Sequence, residues 1–333
     1  MPQLRKDPVL NRWVIIASER GKRPSDFKVE EEEAQTGKCF FCEGSESMTP
    51  PEVMAYRATG TAPDSPGWSL RTVPNKFPAL KPDSDEATQE DDLVHIMAGI
   101  GNHEVIVESP NHRMNFIELT DEETENVFLS YQNRIQYYRD NSKYQYVMIF
   151  KNQGKRAGSS LQHSHSQLIA LPVLPTLIHE ETEKSRKYYK AHQRCVFCDL
   201  IERELSENKR VIFDSEWYVA LSPIAPRFPF EMWVLPKHHK SHYEKSPELE
   251  IRAFAGFMQK LLKTLNKMFP NVPYNFMLHN APLHLSEKET YHWHIEIIPR
   301  LTKMAGFEHG TGMYINPTSP EIAADCFKEA LVK

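Results

Sequence analysis

The feature that most constrains the fold is an internal duplication. Two C-x-x-C pairs, Cys39-Phe-Phe-Cys42 and Cys195-Val-Phe-Cys198, stand about half a chain apart in a sequence of 333 residues. The segments downstream of the two pairs agree in order, the mark of a repeated unit. In the first half a strand-like stretch ends in Asn75-Lys76-Phe77-Pro-Ala-Leu80, and the apolar run His103-Glu-Val-Ile-Val-Glu108 leads to Pro110-Asn-His112. A helical stretch covers residues 120–140, and Tyr146-Val-Met-Ile-Phe150 precedes His163-Ser-His165-Ser-Gln167. In the second half Trp217-Tyr-Val-Ala-Leu221 and Phe230-Glu-Met-Trp-Val-Leu235 lead to Lys237-His238-His239. Ile251, Phe254, Phe257, Met258, Leu261, Leu262 and Leu265 then fall at helical spacing within residues 247–268. Tyr274-Asn-Phe-Met-Leu278 precedes His292-Trp-His294-Ile-Glu296.

Strands joined by short turns, with one helix per half, predict an α+β fold with antiparallel sheets. The division falls at residues 1–178 and 179–333, with the polar stretch 179–186 as helix or linker. Period-two alternation over residues 291–298 puts His292, His294 and Glu296 on one strand face, and a strand over 161–171 does the same for His163 and His165. The acidic run 30–33 and residues 81–92 read as solvated loops.

Composition excludes several classes. Hydrophobic residues at 40% and charged residues at 26% are ordinary globular usage, and the length suits two domains. No stretch approaches the roughly 18 to 20 apolar residues of a membrane span, and the charged N-terminus is followed by no apolar run, so no signal peptide is expected. A net charge of −5 gives no general attraction to nucleic acid or anionic membrane. A cytoplasmic protein is expected.

Two thiolates do not complete a tetrahedral metal site, and the repeat supplies candidates for the rest. Site one is Cys39, Cys42, His112 and His163; site two is Cys195, Cys198, His239 and His292. His239 is chosen over His238 because an aromatic follows four residues later in each half, Phe116 after His112 and Tyr243 after His239. Thiolates with imidazoles favour zinc, and four protein ligands make a structural site. A redox C-x-x-C opens a helix after a strand, and neither pair has that setting. His238 and His242 read as surface histidines, and Cys326 as a buried small residue in a C-terminal helix.

Upstream of the H-x-H lies Asn152-Gln-Gly154-Lys-Arg-Ala-Gly158-Ser159-Ser160, a glycine-broken loop rich in amide, hydroxyl and cationic groups. Such a loop can offer backbone N–H groups to phosphate oxygens. His165 is then a candidate nucleophile: a neutral imidazole attacks phosphorus near pH 7 and splits one displacement into two. Charge on the non-bridging oxygens would fall to Ser160, Gln167 and the loop amides.

Taken as a set, these residues resemble the galactose-1-phosphate uridylyltransferase family, a branch of the histidine-triad superfamily, over nearly the whole chain. The matching segments are Ala17-Ser-Glu-Arg20-Gly-Lys-Arg23-Pro24, Cys39 to Cys42, Asn75 to Leu80, Ser109-Pro-Asn-His112, residues 152–160 and His163 to Gln167. The resemblance implies two tandem histidine-triad-like domains, each an antiparallel sheet with packed helices, the second catalytically degenerate. It implies ping-pong transfer of a nucleoside monophosphate from a nucleotide sugar to a hexose 1-phosphate through a nucleotidyl-His165 intermediate. By the same resemblance Gln167 contacts the transferred phosphoryl group, Ser160 binds phosphate, and Asn152, with Gly158 and Ser159, lies nearby. Arg20 and Arg23 line the site, Asn75, Lys76 and Phe77 hold the nucleoside, and zinc is bound at Cys39, Cys42, His112 and His163. A homodimer completes two sites, with Phe307 and Glu308 reaching the sugar.

Two departures stand out. The family's H-P-H-G-Q is here H-S-H-S-Q, and the second half carries Cys195, Cys198, His239 and His292 where the well-known uridylyltransferases use a glutamate and three histidines. Both, with Ala305-Gly-Phe-Glu308 and Gly310-Thr-Gly-Met-Tyr-Ile-Asn-Pro317, look more like the ADP-glucose phosphorylase branch, which handles adenylyl groups. Glu181 and His279 are set aside as ligands. Alternatives are a phosphorylase or hydrolase, in which phosphate or water takes the nucleotide, and a non-enzymatic zinc-stapled nucleotide-binding protein.

Overall fold

The computed structural model describes residues 2–17, 24–29, 37–83, 89–90 and 93–332. Arg20, Arg23 and the acidic run 30–33 lie outside them. The strands of the main sheet are β1 (Met54–Arg57), β2 (Trp68–Pro74), β3 (Asn102–Val107), β4 (Tyr146–Gln153) and β5 (His165–Leu171), then β6 (Val211–Asp214), β7 (Tyr218–Leu221), β8 (Met232–Pro236), β9 (Tyr274–His279) and β10 (His294–Pro299). They form one antiparallel sheet in the order β6-β7-β8-β10-β9-β4-β5-β3-β2-β1. The order reads alike from either edge, each strand of the first half matching the strand five later. The two expected sheets are therefore continuous. They join where β9 pairs with β4, Tyr274 opposite Gln153 and Leu278 opposite Ile149. A smaller sheet sets the strand Trp13–Ile16 between Gln3–Lys6 and Tyr314–Asn316. Residues 89–90 pair with His95–Ile96, inside a stretch expected to be loop.

Among the described residues six α-helices accompany the sheet: α1 (Asp121–Arg139), α2 (Thr176–His192), α3 (Val196–Glu207), α4 (Glu248–Met268), α5 (Gly306–Thr311) and α6 (Pro320–Val332). α1 starts where the sequence offers a reciprocal cap. The Glu123 N–H donates to Thr120 Oγ1 at 3.1 Å and the Thr120 N–H donates back to Glu123 Oε2 at 2.8 Å. Asp121, Glu122 and Glu123 face the positive end of the helix dipole. The expected face of α4 is buried, with Phe254 meeting Phe128 of α1 edge-on at 4.9 Å. α1 and α4 thus cover one face of the sheet, and Ile106, Ile149, Leu168, Phe276 and Ile295 point into that core.

Strand alternation divides β5 between two environments. Ser166, Leu168 and Ala170 are buried on the helix face, and Gln167 and Ile169 are half-buried on the other. Under the start of β5 the helix face holds a charged pair. Lys151 Nζ donates to Glu108 Oε2 at 2.7 Å, to Ser164 Oγ at 3.0 Å and to His165 O at 3.0 Å. Ser164 Oγ donates to Glu108 Oε2 at 2.5 Å, Ser166 Oγ donates to its other oxygen, and the Tyr131 hydroxyl of α1 meets Ser166 at 2.5 Å. The two charged side chains are 1% and 0% exposed. Burial draws the Lys151 ammonium below its ordinary pKa, and the Glu108 carboxylate opposes that.

Lys151→Met leaves the Glu108 carboxylate buried without its cation and should cost about 3–5 kcal/mol in denaturant unfolding. Adding Glu108→Gln should recover a large part of the loss. A loss below about 1 kcal/mol in the single variant would show that the serines alone hold the carboxylate.

Candidate active site and metal clusters

β5 begins at His165, so His163 and Ser164 precede the strand that was expected to include them. Their backbone is held elsewhere: the Ser164 N–H donates to Arg113 O at 2.6 Å, and Ser164 O accepts from the Glu108 N–H at 3.3 Å. That bend frees the His163 ring to meet the first cysteine pair. His163 Nδ1 lies 3.4 Å from Cys39 Sγ and 3.6 Å from Cys42 Sγ, and His112 Nδ1 lies 3.5 Å from Cys42 Sγ. His163 Nε2–H donates to Ser109 O at 2.8 Å. Since a carbonyl only accepts, the ring proton is on Nε2 and a lone pair on Nδ1 faces the thiols. Burial pushes His163 down to about 4, so the ring is neutral.

The second half repeats this arrangement. Cys198 Sγ lies 3.4 Å from His239 Nδ1 and 3.7 Å from His292 Nδ1, and the Nε2–H groups of those rings donate to Lys288 O at 3.1 Å and Pro236 O at 2.9 Å. His292, like His163, stands just before its strand. In each cluster all four ligand atoms lie within 4.8 Å of one another. A tetrahedral ion bound by two thiolates and two imidazoles sets sulfur–nitrogen separations near about 3.6 Å, so both donor sets fit one. Burial raises the Cys42 thiol to about 11, and in the second pair hydrogen bonding from Cys198 lowers Cys195 while Cys198 itself rises.

His165 is 6% exposed. Its Nδ1–H donates to His163 O at 2.7 Å, which leaves the lone pair on Nε2. Burial lowers its pKa and keeps it neutral. Phe41, inside the first C-x-x-C, packs edge-on against the ring with centroids 5.3 Å apart. Gln167, two residues on, shares its face, and so does Asn152, two residues beyond the Phe150 that pairs with Gln167. Asn152 Oδ1 accepts from Asn275 Nδ2 at 2.7 Å.

The 152–160 loop differs from its expected use. Gly154 (φ 82°) and Gly158 (φ 95°) both take positive φ around a 3-10 turn at Lys155–Ala157, Gly158 in the left-handed helical conformation. The N–H groups of Ala157, Gly158 and Ser159 close that turn on Gly154 O and Lys155 O, at 3.1, 3.0 and 3.2 Å. Those three amides are spent internally and are not offered to a phosphate. Ser159 Oγ donates to Leu161 O at 2.7 Å, and Ser160 is exposed. Lys76 and Phe77 are exposed, Phe77 by 84%, and the Phe77 N–H donates to Asn75 Oδ1 at 2.9 Å. Phe307 and Glu308 lie on α5, which packs chiefly on the strand Tyr314–Asn316. There Glu308 accepts the Ala305 N–H at 3.0 Å.

The counterpart of His165 is His294, whose Nδ1–H likewise donates to His292 O, at 3.1 Å. Phe197, the counterpart of Phe41, covers it at 4.9 Å. α3 and Trp233 close this face with an apolar cluster. His294 Nε2 stands 3.5 Å from Glu181 Oε1, and His279 stacks on His294 with Nδ1 3.3 Å from Glu181 Oε2. Glu181, His279 and His294 thus form a third buried group with metal-ligand character, although the sequence had set Glu181 and His279 aside. Burial opposes a charge on His279, but the Glu181 and Glu296 carboxylates raise it to about 10. Glu296, in the place of Gln167, is ion-paired with Arg227.

The expectations for His242 and Cys326 need correction. His242 is buried, 2% exposed, because Ser241 Oγ meets its Nδ1 at 2.7 Å and its Nε2 faces Pro282 O at 3.3 Å. As expected, the second pair lacks the redox setting, since Cys195 opens α3 after α2 and not after a strand. Cys326 is half-buried against the core. Phe41, His103, Glu108, Lys151 and Arg227 were not singled out. Only Phe41 carried a signal, its place between two ligands in each repeat.

A family model described as DUF4921, a domain of unknown function, matches residues 73–333. The ADP-glucose phosphorylase of Arabidopsis thaliana is 35% identical over 98% of this chain and 93% of its own length. The galactose-1-phosphate uridylyltransferase of Thermotoga maritima is 29% identical over all of both chains. The crystal structure of an Arabidopsis thaliana ADP-glucose phosphorylase with bound ADP-glucose superposes with a TM-score of 0.82 at 34% identity, over 99% of each chain. Similarity of that extent, together with an H-x-H-x-Q strand flanked by a cysteine–histidine cluster, makes this chain a member of the galactose-1-phosphate uridylyltransferase family, alongside its ADP-glucose phosphorylase relatives.

Proposed function

We propose that the chain moves a nucleoside monophosphate between a nucleotide sugar and hexose 1-phosphate in two displacements at His165. The observation that carries this reading is the His165 Nδ1–H bond to His163 O, which leaves a neutral Nε2 lone pair on the face shared with Gln167 and Asn152. In the first step Nε2 forms a bond to the α-phosphorus and the P–O bond to the sugar phosphate breaks. In the second, a phosphate oxygen of the incoming hexose 1-phosphate forms the new P–O bond and the N–P bond breaks, returning His165 to its neutral form. Gln167 and Ser160 steady the non-bridging oxygens. Asn152, Gly158 and Ser159 shape the pocket wall, and Asn75, Lys76 and the exposed Phe77 take the nucleoside. Arg20 and Arg23 keep their roles through the family resemblance.

Zinc occupies both cysteine–histidine clusters. Four protein ligands close each site, so the ion contributes folding free energy and holds His163 in place. The second half, with its face covered by Phe197 and Glu296 paired to Arg227, serves as a histidine-triad-like wall, residues 179–333, beside the catalytic 1–178. The protein works as a cytoplasmic homodimer in which Phe307 and Glu308 of a second copy complete the sugar site. A second reading, adenylyl transfer from ADP-glucose to phosphate, is favoured by the relative named ADP-glucose phosphorylase and by Ser164 and Ser166.

Brief mixing with UDP-glucose or ADP-glucose should add one nucleoside monophosphate to the intact mass, and His165→Ala should abolish the adduct. The nucleotide that labels the protein selects between the two readings. No adduct with either donor on metal-replete protein would sink both.

Elemental analysis should find two zinc ions per chain in wild type and in His165→Ala. Cys39→Ser should lose one and lower the thermal midpoint, and Cys195→Ser the other. Full metal content in Cys39→Ser would remove that cluster from the assignment.

A further inference from the structure

We propose that His103 is a positioning residue that fixes which end of the Gln167 side-chain amide meets the transferred phosphoryl group; this rests on the phosphoryl contact proposed for Gln167. On β3, His103 stands opposite Ile169 of β5, and Val105 stands opposite Gln167. His103 and Gln167 are therefore diagonal neighbours on the face that carries His165. His103 Nδ1 accepts the Ala79 N–H at 3.2 Å. A main-chain amide can only donate, and a neutral imidazole has one N–H, so the ring proton is on Nε2. Nε2–H then donates to Gln167 Oε1 at 2.8 Å. Asn75 Nδ2 also approaches Nε2, at 3.2 Å, with its Oδ1 already accepting the Phe77 N–H. Among the described residues only Gln167 brings an acceptor to Nε2, and its contact is the shorter. The amide hydrogens of Asn75 are left for another acceptor.

Rotated the other way, Gln167 would set N–H against N–H. Its carbonyl therefore faces His103 and its NH2 faces away, and His165 is the next residue on that side along the strand face. This is the polarity a phosphoryl group requires, because a negatively charged oxygen accepts from an amide N–H and is repelled by a carbonyl. Glutamine alone does not choose between the two orientations, which differ little in shape. His103 chooses, through a ring whose tautomer is set by the Ala79 amide. The same residue accepts the Asn75 N–H on its main-chain oxygen at 2.8 Å, so one position fastens the 75–79 turn and aims Gln167.

The test is a double-variant cycle read by the single-turnover rate of nucleotidyl-enzyme formation, with UDP-glucose and ADP-glucose as donors. His103→Phe should slow that step by about tenfold or more. His103→Gln, which keeps a side-chain N–H for Gln167, should recover most of the rate. In a Gln167→Ala background His103→Phe should change nothing further. A wild-type rate in His103→Phe, or an equal fall in both backgrounds, overturns the proposal. An absent adduct in the wild type would refute the transfer reading instead. The proton placement is then decided on its own by long-range proton–nitrogen correlation spectra of the imidazole, assigned by their loss in His103→Gln. A proton on Nε2 supports the proposal, and one on Nδ1 overturns it.

Discussion

Strands β4 and β9 occupy the same place in the two halves of the sequence, and they hydrogen-bond to each other antiparallel, from Tyr274 opposite Gln153 to Leu278 opposite Ile149. Because these are corresponding strands, their pairing leaves every later strand of one half mirrored by its counterpart in the other, out to β1 and β6 at the edges. It also puts both long helices on the same face, where α1 and α4 share one core. The opposite face is then the place left for chemistry in either half. Each H-x-H enters that face from beyond the strand end, with its first histidine turned to a cysteine pair and its second directed along the sheet.

From that shared geometry the halves diverge through few side chains. Phe41 and Phe197 pack on His165 and His294 at similar distances, and His112–His163 and His239–His292 cross at nearly the same angle, 84° and 86°. The differences lie in what meets the second histidine. Gln167 has become Glu296, held by Arg227, and the place of Asn152 is taken by His279, stacked on His294 and bonded to Glu181. A neutral amide can face a phosphate, whereas a buried carboxylate must be paired and repels one. The second half has accordingly exchanged an open polar face for a network of paired charges under an apolar cover of α3 residues.

Much of this was legible in the chain because local signals agree with the global fold. The helical stretch over 120–140 and the apolar face of α4 placed both helices within a residue of their ends, and β4 and β9 start at Tyr146 and Tyr274 as read from the sequence. The repeat grouped eight cysteine and histidine side chains correctly into two clusters, since corresponding positions of a duplicated unit meet corresponding neighbours. What stayed hidden depends on long-range pairing. That the halves share one sheet comes from β4 meeting β9, residues more than a hundred positions apart, which no local periodicity encodes. The loop amides at 157–159 looked available because composition reveals glycines but not which carbonyls their neighbours will bond. His242 looked like a surface residue until Ser241 and Pro282 enclosed it.

The serines of H-S-H-S-Q, which break the family pattern, find their reason in a residue far along the chain. Ser164 and Ser166 both donate to Glu108, and Lys151 joins that carboxylate to His165 O. A buried carboxylate accepting two hydroxyls and an ammonium is satisfied, so the network fixes the backbone of residues 164–166 from beneath. From above, the His163 ring is anchored at the cysteine pair while its carbonyl holds the His165 Nδ1–H. The backbone around the candidate nucleophile is thus clamped on both faces of the sheet, and its ring is oriented by a carbonyl whose own residue cannot turn without breaking the metal-ligand cluster. A histidine held this way keeps one tautomer and one direction of its lone pair, which is what attack on phosphorus at a fixed distance demands.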